Sequence, residues 1–201
     1  MINRRTNFYD NGIFEVKGYI VIVTETKLKG CFIIEPKIFH DNRGVFFESF
    51  QKEKLEKALE QPLHFVQDNQ SISKRGVLRG LHFQEGRYAQ AKLVQVIQGT
   101  VLDVIVDVRE NSDTFGQHIK VKLSGNHKKS IFIPKGMAHG FLVLSEEAIF
   151  SYKCDNYYHW PSEQGIAYSD VSLNIDWEFP VEHIILSEKD ALLPSFKELY
   201  P

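Results

Sequence analysis

The sequence predicts an all-β domain, a sandwich or small barrel with one or two short helices. Three observations carry this. From residue 63 onward the chain is a series of short apolar segments separated by turn signals, which is the spacing of packed antiparallel strands. Some segments alternate with period two: in residues 117–124, His118, Lys120 and Lys122 point one way and Ile119, Val121 and Leu123 the other. Only residues 51–61 carry a convincing helical period, with Leu55, Ala58 and Leu59 on one face, lysines and glutamates on the other, and Pro62 as the stop.

The elements follow in order. Residues 1–18 are mixed and polar without a clean period, and read as a mobile tail or an extension added by an upstream start; a single domain is set at residues 19–201. Residues 19–26 and 30–36 are rich in β-branched and aromatic side chains and read as strands. His40-Asp41-Asn42-Arg43-Gly44 supplies the dihedrals of a tight reversal, and residues 45–50 form the next strand. Residues 92–109 carry Val94, Val96, Val101, Val104, Ile105, Val106 and Val108 around Gln98-Gly99, and are predicted to form a hairpin with one largely buried arm. Residues 130–134, 140–145 and 148–156 continue the series, and a short helix is expected after Ser187.

Composition narrows the function classes. With 201 residues, 43% hydrophobic and 25% charged, the chain is long enough to bury a core without staples. A net charge of −2 without a Lys/Arg run gives no footprint for nucleic acid. Cys31 and Cys154 stand far apart with no zinc or C-x-x-C spacing, so reduced thiols in a cytoplasm are expected. The longest apolar runs, residues 19–23 and 141–144, are too short to span a bilayer, and no apolar leader follows the polar start.

Some titratable residues sit awkwardly in this β scaffold. A histidine is ordinarily a satisfied structural residue, and that reading holds for His40, His64, His118, His127, His159 and His183. His82, in G-V-L-R-G-L-H-F, and His139, in I-P-K-G-M-A-H-G-F, stand apart because each adjoins glycine on a strand that a ligand could approach closely. Tyr152 alone would be a core aromatic, and Lys92 alone a solvated strand end. On a regular strand Arg79 and His82 face opposite ways, so either a ligand straddles the strand or a bulge at Gly80 turns both into one cavity.

The pattern P-x-G-x-x-H at Pro134 to His139 resembles the second half-motif of the cupin barrels, and G-L-H-F lies near the first. A metal cupin needs an H-x-H pair, whereas Phe83 and Gln84 follow His82, so a metal-free pocket is expected. Further motifs occur in order: E-P-K-I-F at 35–39, D-N-R-G-V-F-F-E-S-F at 41–50, F-V-Q-D-N at 65–69, V-L-R-G-L-H-F-Q at 77–84, K-L-V at 92–94 and S-D-T-F-G at 112–116. With them the chain resembles the dTDP-4-dehydrorhamnose 3,5-epimerases from about residue 19 to about residue 194.

The resemblance implies a cupin-like jelly roll, a homodimer, no cofactor, and epimerisation at C3 and C5 of a dTDP-4-dehydro-6-deoxy-hexose. Inverting a carbon beside a ketone takes a base, a cation for the enolate oxygen and an acid on the opposite face. By resemblance His82 is the base, oriented by Asp190, Tyr152 is the acid, and Lys92 holds the enolate. Asp190 has an equal alternative, since Ser187 and Asp190 also spell a helix capping box. No glycine-rich phosphate loop is present, so side chains must hold the diphosphate, Arg79 first because its fork matches phosphate oxygens. The resemblance adds Arg43, Glu48, Gln67, Asp68, Asn69, His139, Glu163 and Lys189 as substrate contacts, some reaching into a partner subunit; Asp68 and Asn69 could equally make a turn. The chain departs from the family around Glu163 and in its first 18 residues. Epimerisation at a single carbon, or sugar-nucleotide binding without catalysis, are the other readings.

Overall fold

The computed structural model describes residues 8–9, 13–16 and 19–201, with side chains from residue 21 onward. Short strands β1 (Phe8–Tyr9) and β2 (Ile13–Val16) lead into β3 (Tyr19–Glu25) and β4 (Phe32–Pro36). The rest of the expected extension at residues 1–18 lies outside the described residues. Strands β5 (Ile38–Asp41) and β6 (Gly44–Phe47) form a separate ribbon around the predicted turn. Helix α1 (Lys52–Leu59) follows, started by Gln51, whose side chain accepts from the Lys54 amide at 2.6 Å, and ended by Glu60 in the left-handed region.

The body is built from β7 (Gln67–Lys74), β8 (Leu78–Gln84), β9 (Lys92–Gln98), β10 (Thr100–Asp107), β11 (His118–Ser124), β12 (Ser130–Ile133), β13 (Met137–Val143), β14 (Glu147–Cys154) and β15 (Glu163–Gly165). They form two antiparallel sheets. The larger runs β1-β2-β3-β4-β12-β9-β14-β7 and the smaller β11-β10-β13-β8-β15, in a cupin-like jelly roll. Between the sheets, Val94, Val96, Ile131 and Phe150 of the larger pack against Val101, Ile105, Leu123, Phe141 and Val143 of the smaller.

The segment at 92–109 is a correction. Its two arms are strands as expected, but β9 belongs to the larger sheet and β10 to the smaller, so Gly99 (φ +82°) carries the chain from one sheet to the other and closes no hairpin. The apolar run in β10 has a physical cause: both of its faces are buried. Val101 and Ile105 face the larger sheet, while Leu102, Val104 and Val106 meet the C-terminal segment through Ile166, Leu173 and Trp177. The outer face of the larger sheet is covered in part by α1, whose Leu55 and Leu59 pack on Leu93 and Phe132. The C-terminal segment ends in two short helices, α2 (Glu188–Ala191), at the place expected after Ser187, and α3 (Phe196–Leu199).

Candidate active site

The stretch carrying Arg79 and His82 is β8, paired with β13 through His82↔His139 and Arg79↔Phe141. Three steps along β8 answer two along β13, so the register slips by one residue. This is a bulge, and Gly80 makes it: at φ +118° its position for a Cβ lies 2.6 Å from Gly140 Cα and 2.7 Å from the His139 carbonyl. Leu78, Leu81 and Phe83 consequently face the outer core, while Arg79 and His82 both turn inward and line one cavity.

His82 Nε2 lies 2.7 Å from Asp190 Oδ1, and the Gly80 amide donates to Asp190 Oδ2 at 3.3 Å. Asp190 reaches this position from α2, where Ser187 Oγ accepts from the Asp190 amide at 3.0 Å. Ser187 caps the helix through the Asp190 amide, but the Asp190 carboxylate goes to His82 and Gly80 instead of back to the Ser187 amide, so the expected capping box is only half formed and the carboxylate serves the histidine. Burial alone would raise the Asp190 carboxyl; the hydrogen bond and charge of His82, with the Gly80 amide, outweigh it and hold the carboxyl below its ordinary value. The other ring nitrogen of His82 has no protein partner among the described residues.

The opposite wall comes from the larger sheet. Period two sends Tyr152 inward with Phe150 and Ala148, and Lys92 inward with Val94 and Val96. Tyr152 stands opposite Asn69 of β7, so Asp68 and Asn69 lie in a strand, against the turn that was their alternative. Burial pushes the Tyr152 phenol above its ordinary value. Burial also lowers the Lys92 ammonium, opposed in part by Cys154, Glu163 and Asp103. Two adjoining cavities of about 360 and 220 Å³ share Asn69, His82, Lys92 and Tyr152 as walls.

Arg79, His139 and Lys189 line the larger of these cavities, and Gln67 and Glu163 the smaller. Lys189 and Tyr158 both bond to Glu163, Tyr158 Oη at 2.7 Å. Burial would raise the Glu163 carboxyl, but those two bonds and the His82 charge hold it below its ordinary value. Three predicted residues stay away from the cavities in this chain. Arg43 pairs with Asp41 at the tip of the β5–β6 ribbon, Glu48 accepts from Lys54 at 2.7 Å, and Asp68 pairs with Lys153 beside a separate recess of about 370 Å³.

Sequence reasoning missed Asp103. It is fully buried on β10, and its Oδ2 lies 2.9 Å from His139 Nε2, so the second strand histidine is also held by an aspartate. An aspartate inside V-L-D-V-I-V was the available signal. Tyr158, missed as well, has no comparable signal in the run Asn156-Tyr157-Tyr158-His159. The motif S-D-T-F-G proves structural: Ser112 and Thr114 hydroxyls each donate to Asp107 Oδ2 at 2.6 Å, away from the cavities. Among the described residues no three His, Cys, Asp or Glu side chains converge as a metal-ligand set, and no helix is long and apolar enough to cross a membrane.

A jelly roll with an aspartate-held histidine on one sheet and a partly buried tyrosine and lysine on the other has the makings of a cupin-like isomerase that works by proton transfer. The chain belongs to the dTDP-4-dehydrorhamnose 3,5-epimerase family, whose profile matches residues 25–198. The dTDP-4-dehydrorhamnose 3,5-epimerase of Escherichia coli K12 is 50% identical over 177 residues, covering 88% of this chain and 95% of that one. Among solved structures, the enzyme of the same name from Elizabethkingia anophelis NUHP1 is 51% identical with a TM-score of 0.86, covering 89% and 97% of the two chains. The dTDP-6-deoxy-D-glucose-3,5-epimerase of Legionella pneumophila, solved with dTDP-4-keto-L-rhamnose, is 50% identical with a TM-score of 0.84 over 88% and 93%.

Proposed function

We propose that this protein inverts C3 and C5 of dTDP-4-dehydro-6-deoxy-D-glucose to give dTDP-4-dehydro-L-rhamnose. Family membership supports the reaction class. The observation that carries the residue roles is that His82 and Tyr152 stand on different sheets and line the same cavity, with Lys92 on the strand beside that of Tyr152. His82, held by Asp190, takes the acidic proton from the carbon beside the C4 ketone, and the bonding pair moves into the enolate. The Lys92 ammonium balances the charge on the enolate oxygen. Tyr152 then delivers its phenolic proton to the opposite face of the carbon, inverting it. The proton on His82 and the one missing from Tyr152 are exchanged with solvent before the second carbon is treated alike.

Arg79 is assigned to the diphosphate with His139 and Lys189, and Gln67, Asn69 and Glu163 to the rest of the nucleotide sugar; Asp68, turned outward to Lys153, is left out of this site. Arg43 and Glu48 are assigned to the site of a second copy in a homodimer, a reading supported by exposed Val45 and Phe46 on the same ribbon. Cys31 and Cys154 are free and buried, which suits a reducing cytoplasm.

Incubation with the 4-keto nucleotide sugar in deuterated water tests the reaction: label is expected at C3 and C5, and label at one carbon or none overturns it. His82→Asn is expected to abolish exchange at both positions, and exchange that persists removes His82 as the base. Tyr152→Phe is expected to keep exchange while completed inversion falls by about 10²-fold or more.

A further inference from the structure

Residues 156–159 leave β14 and join no strand before β15, so their backbone groups must find partners elsewhere. Four of those groups end on glutamine side chains. Gln90 Nε2 donates to the Asn156 carbonyl at 2.8 Å and Gln84 Nε2 to the Tyr157 carbonyl at 3.2 Å, while the Tyr158 and His159 amides donate to Gln67 Oε1 at 2.9 Å and to Gln84 Oε1 at 2.7 Å. Gln84 Nε2 makes a further bond of 2.7 Å to the Tyr88 carbonyl, in the single helical turn Gly86–Tyr88. The same turn meets the segment again, for the His159 ring stacks on Tyr88 with centroids 3.6 Å apart and 6° between the planes. Gln84 is buried, so its amide nitrogen and oxygen are both engaged inside the protein, and a satisfied buried network of this kind is rigid.

The segment delivers Tyr158, which lines the smaller cavity and donates its hydroxyl to Glu163; Glu163 in turn stands opposite Gln84 in the ladder between β8 and β15. Resting on the nucleotide-sugar reading above, we propose that Gln84, aided by Gln90, is a positioning residue that fixes the segment at 156–159 so that Tyr158 stands at the cavity before substrate arrives. A buried amide costs stability unless it is fully bonded, and an apolar side chain at this strand end would need no partners. Only an amide, however, offers donors and an acceptor in one plane and can bridge two carbonyls and a backbone N–H of two separate loops. His82 lies two residues earlier on the same strand, so β8 carries the base and also sets the wall made by Tyr158. Without the glutamine bonds the segment would populate other arrangements, and apparent affinity would fall with the competent fraction, while bound substrate would restore the arrangement needed for the chemical step.

Steady-state kinetics with the 4-keto nucleotide sugar test the role. Gln84→Met keeps the length of the side chain and can make none of its three bonds. It is expected to raise KM about tenfold and to leave kcat within about twofold, because saturating substrate restores the arrangement. In a Tyr158→Leu background the same substitution is expected to raise KM by less than about twofold, since the residue being positioned is gone. A KM effect of equal size in both backgrounds overturns the proposal. A lowered thermal midpoint with KM unchanged also overturns it and makes Gln84 structural, and a fall in kcat alone overturns it by making Gln84 a support for His82. Should Gln84→Met not fold, Gln90→Met, which removes one bond at a partly buried position, is expected to raise KM about threefold, and an unchanged KM there overturns the role. Absence of turnover by the wild type sinks the nucleotide-sugar reading and this inference with it.

Discussion

Asp190 serves the helix through its backbone and His82 through its carboxylate, and this separates two outcomes of one substitution. Asp190→Asn keeps the cap and the side-chain shape but replaces the anion that fixes the ring and stabilises its charged form. We expect kcat to fall by about 10²-fold or more, with a lower thermal midpoint near neutral pH because the depressed carboxyl no longer contributes. A variant that keeps full activity removes Asp190 from the mechanism. Lys92 allows a second test. Its ammonium titrates below the ordinary 10.5 because it is buried, whereas burial raises the Tyr152 phenol above 10.0. The cation is lost as pH rises through the lowered Lys92 value, so the alkaline limb of kcat should lie below 10.5 and belong to lysine. In Lys92→Arg, which does not titrate there, activity should sit on a lower plateau without that limb; a limb at the same pH assigns it elsewhere. Lys92 and Tyr152, which alone read as a strand end and a core aromatic, were legible only through the family resemblance, and His82 because a titratable side chain in a strand of apolar residues needs a partner. Asp103 carried the same signal and was passed over, since its partner His139 lies 36 residues away on another strand.

The bulge in β8 turns a sequence alternation into a site. A regular strand would send Arg79 and His82 to opposite faces, and the one-residue slip at Gly80 brings both inward. Gly80→Ala would ask an L side chain to adopt φ +118° with its Cβ against the backbone of Gly140. We expect a loss of about 2 kcal/mol or more, hence a midpoint lower by roughly 4 °C or more, and loss of proton exchange even where the variant folds. Exchange at the wild-type rate would show that the slip does not matter to the site. Strand existence was readable from composition and period two, and Gly80 was readable as a possible bend. Strand partnership was not. The segment at 92–109 looks like a hairpin because Gln98-Gly99 resembles its turn, yet whether two consecutive strands pair or part to different sheets depends on what buries each face. In β10 that is decided by residues near 166–177, far along the chain.

At the scale of the whole molecule, the two sheets meet through an apolar interior, while buried carboxylates secure the loops around them. Asp107 ends β10 with no exposed surface and binds the Arg109 guanidinium at 2.8 and 2.7 Å, the Ser112 and Thr114 hydroxyls, and the Arg109 amide at 3.0 Å. Burial alone would raise its pKa, but these bonds bring it down from 3.8 to about 2. A depressed carboxyl contributes stability that is present above its unfolded value and is lost as pH falls through its folded value, so the window runs from about 4 down to about 2. The shift corresponds to about 2 kcal/mol. Asp170 and Asp190 are depressed as well, each by hydrogen bonds that outweigh burial, and they add to the same acid sensitivity. Asp107→Asn cannot titrate and leaves Arg109 with a neutral partner, so it should lower the midpoint near neutral pH by roughly 4–8 °C. The gap between wild type and variant should then narrow between pH 4 and 2, as the wild-type carboxyl takes up its proton and the two proteins become alike at this position. Midpoints measured from pH 7 to pH 2 decide it: a gap that stays constant through this window would mean that Asp107 acts through shape and neutral hydrogen bonds, and that the charge of the cage contributes nothing to holding the loop at 109–116.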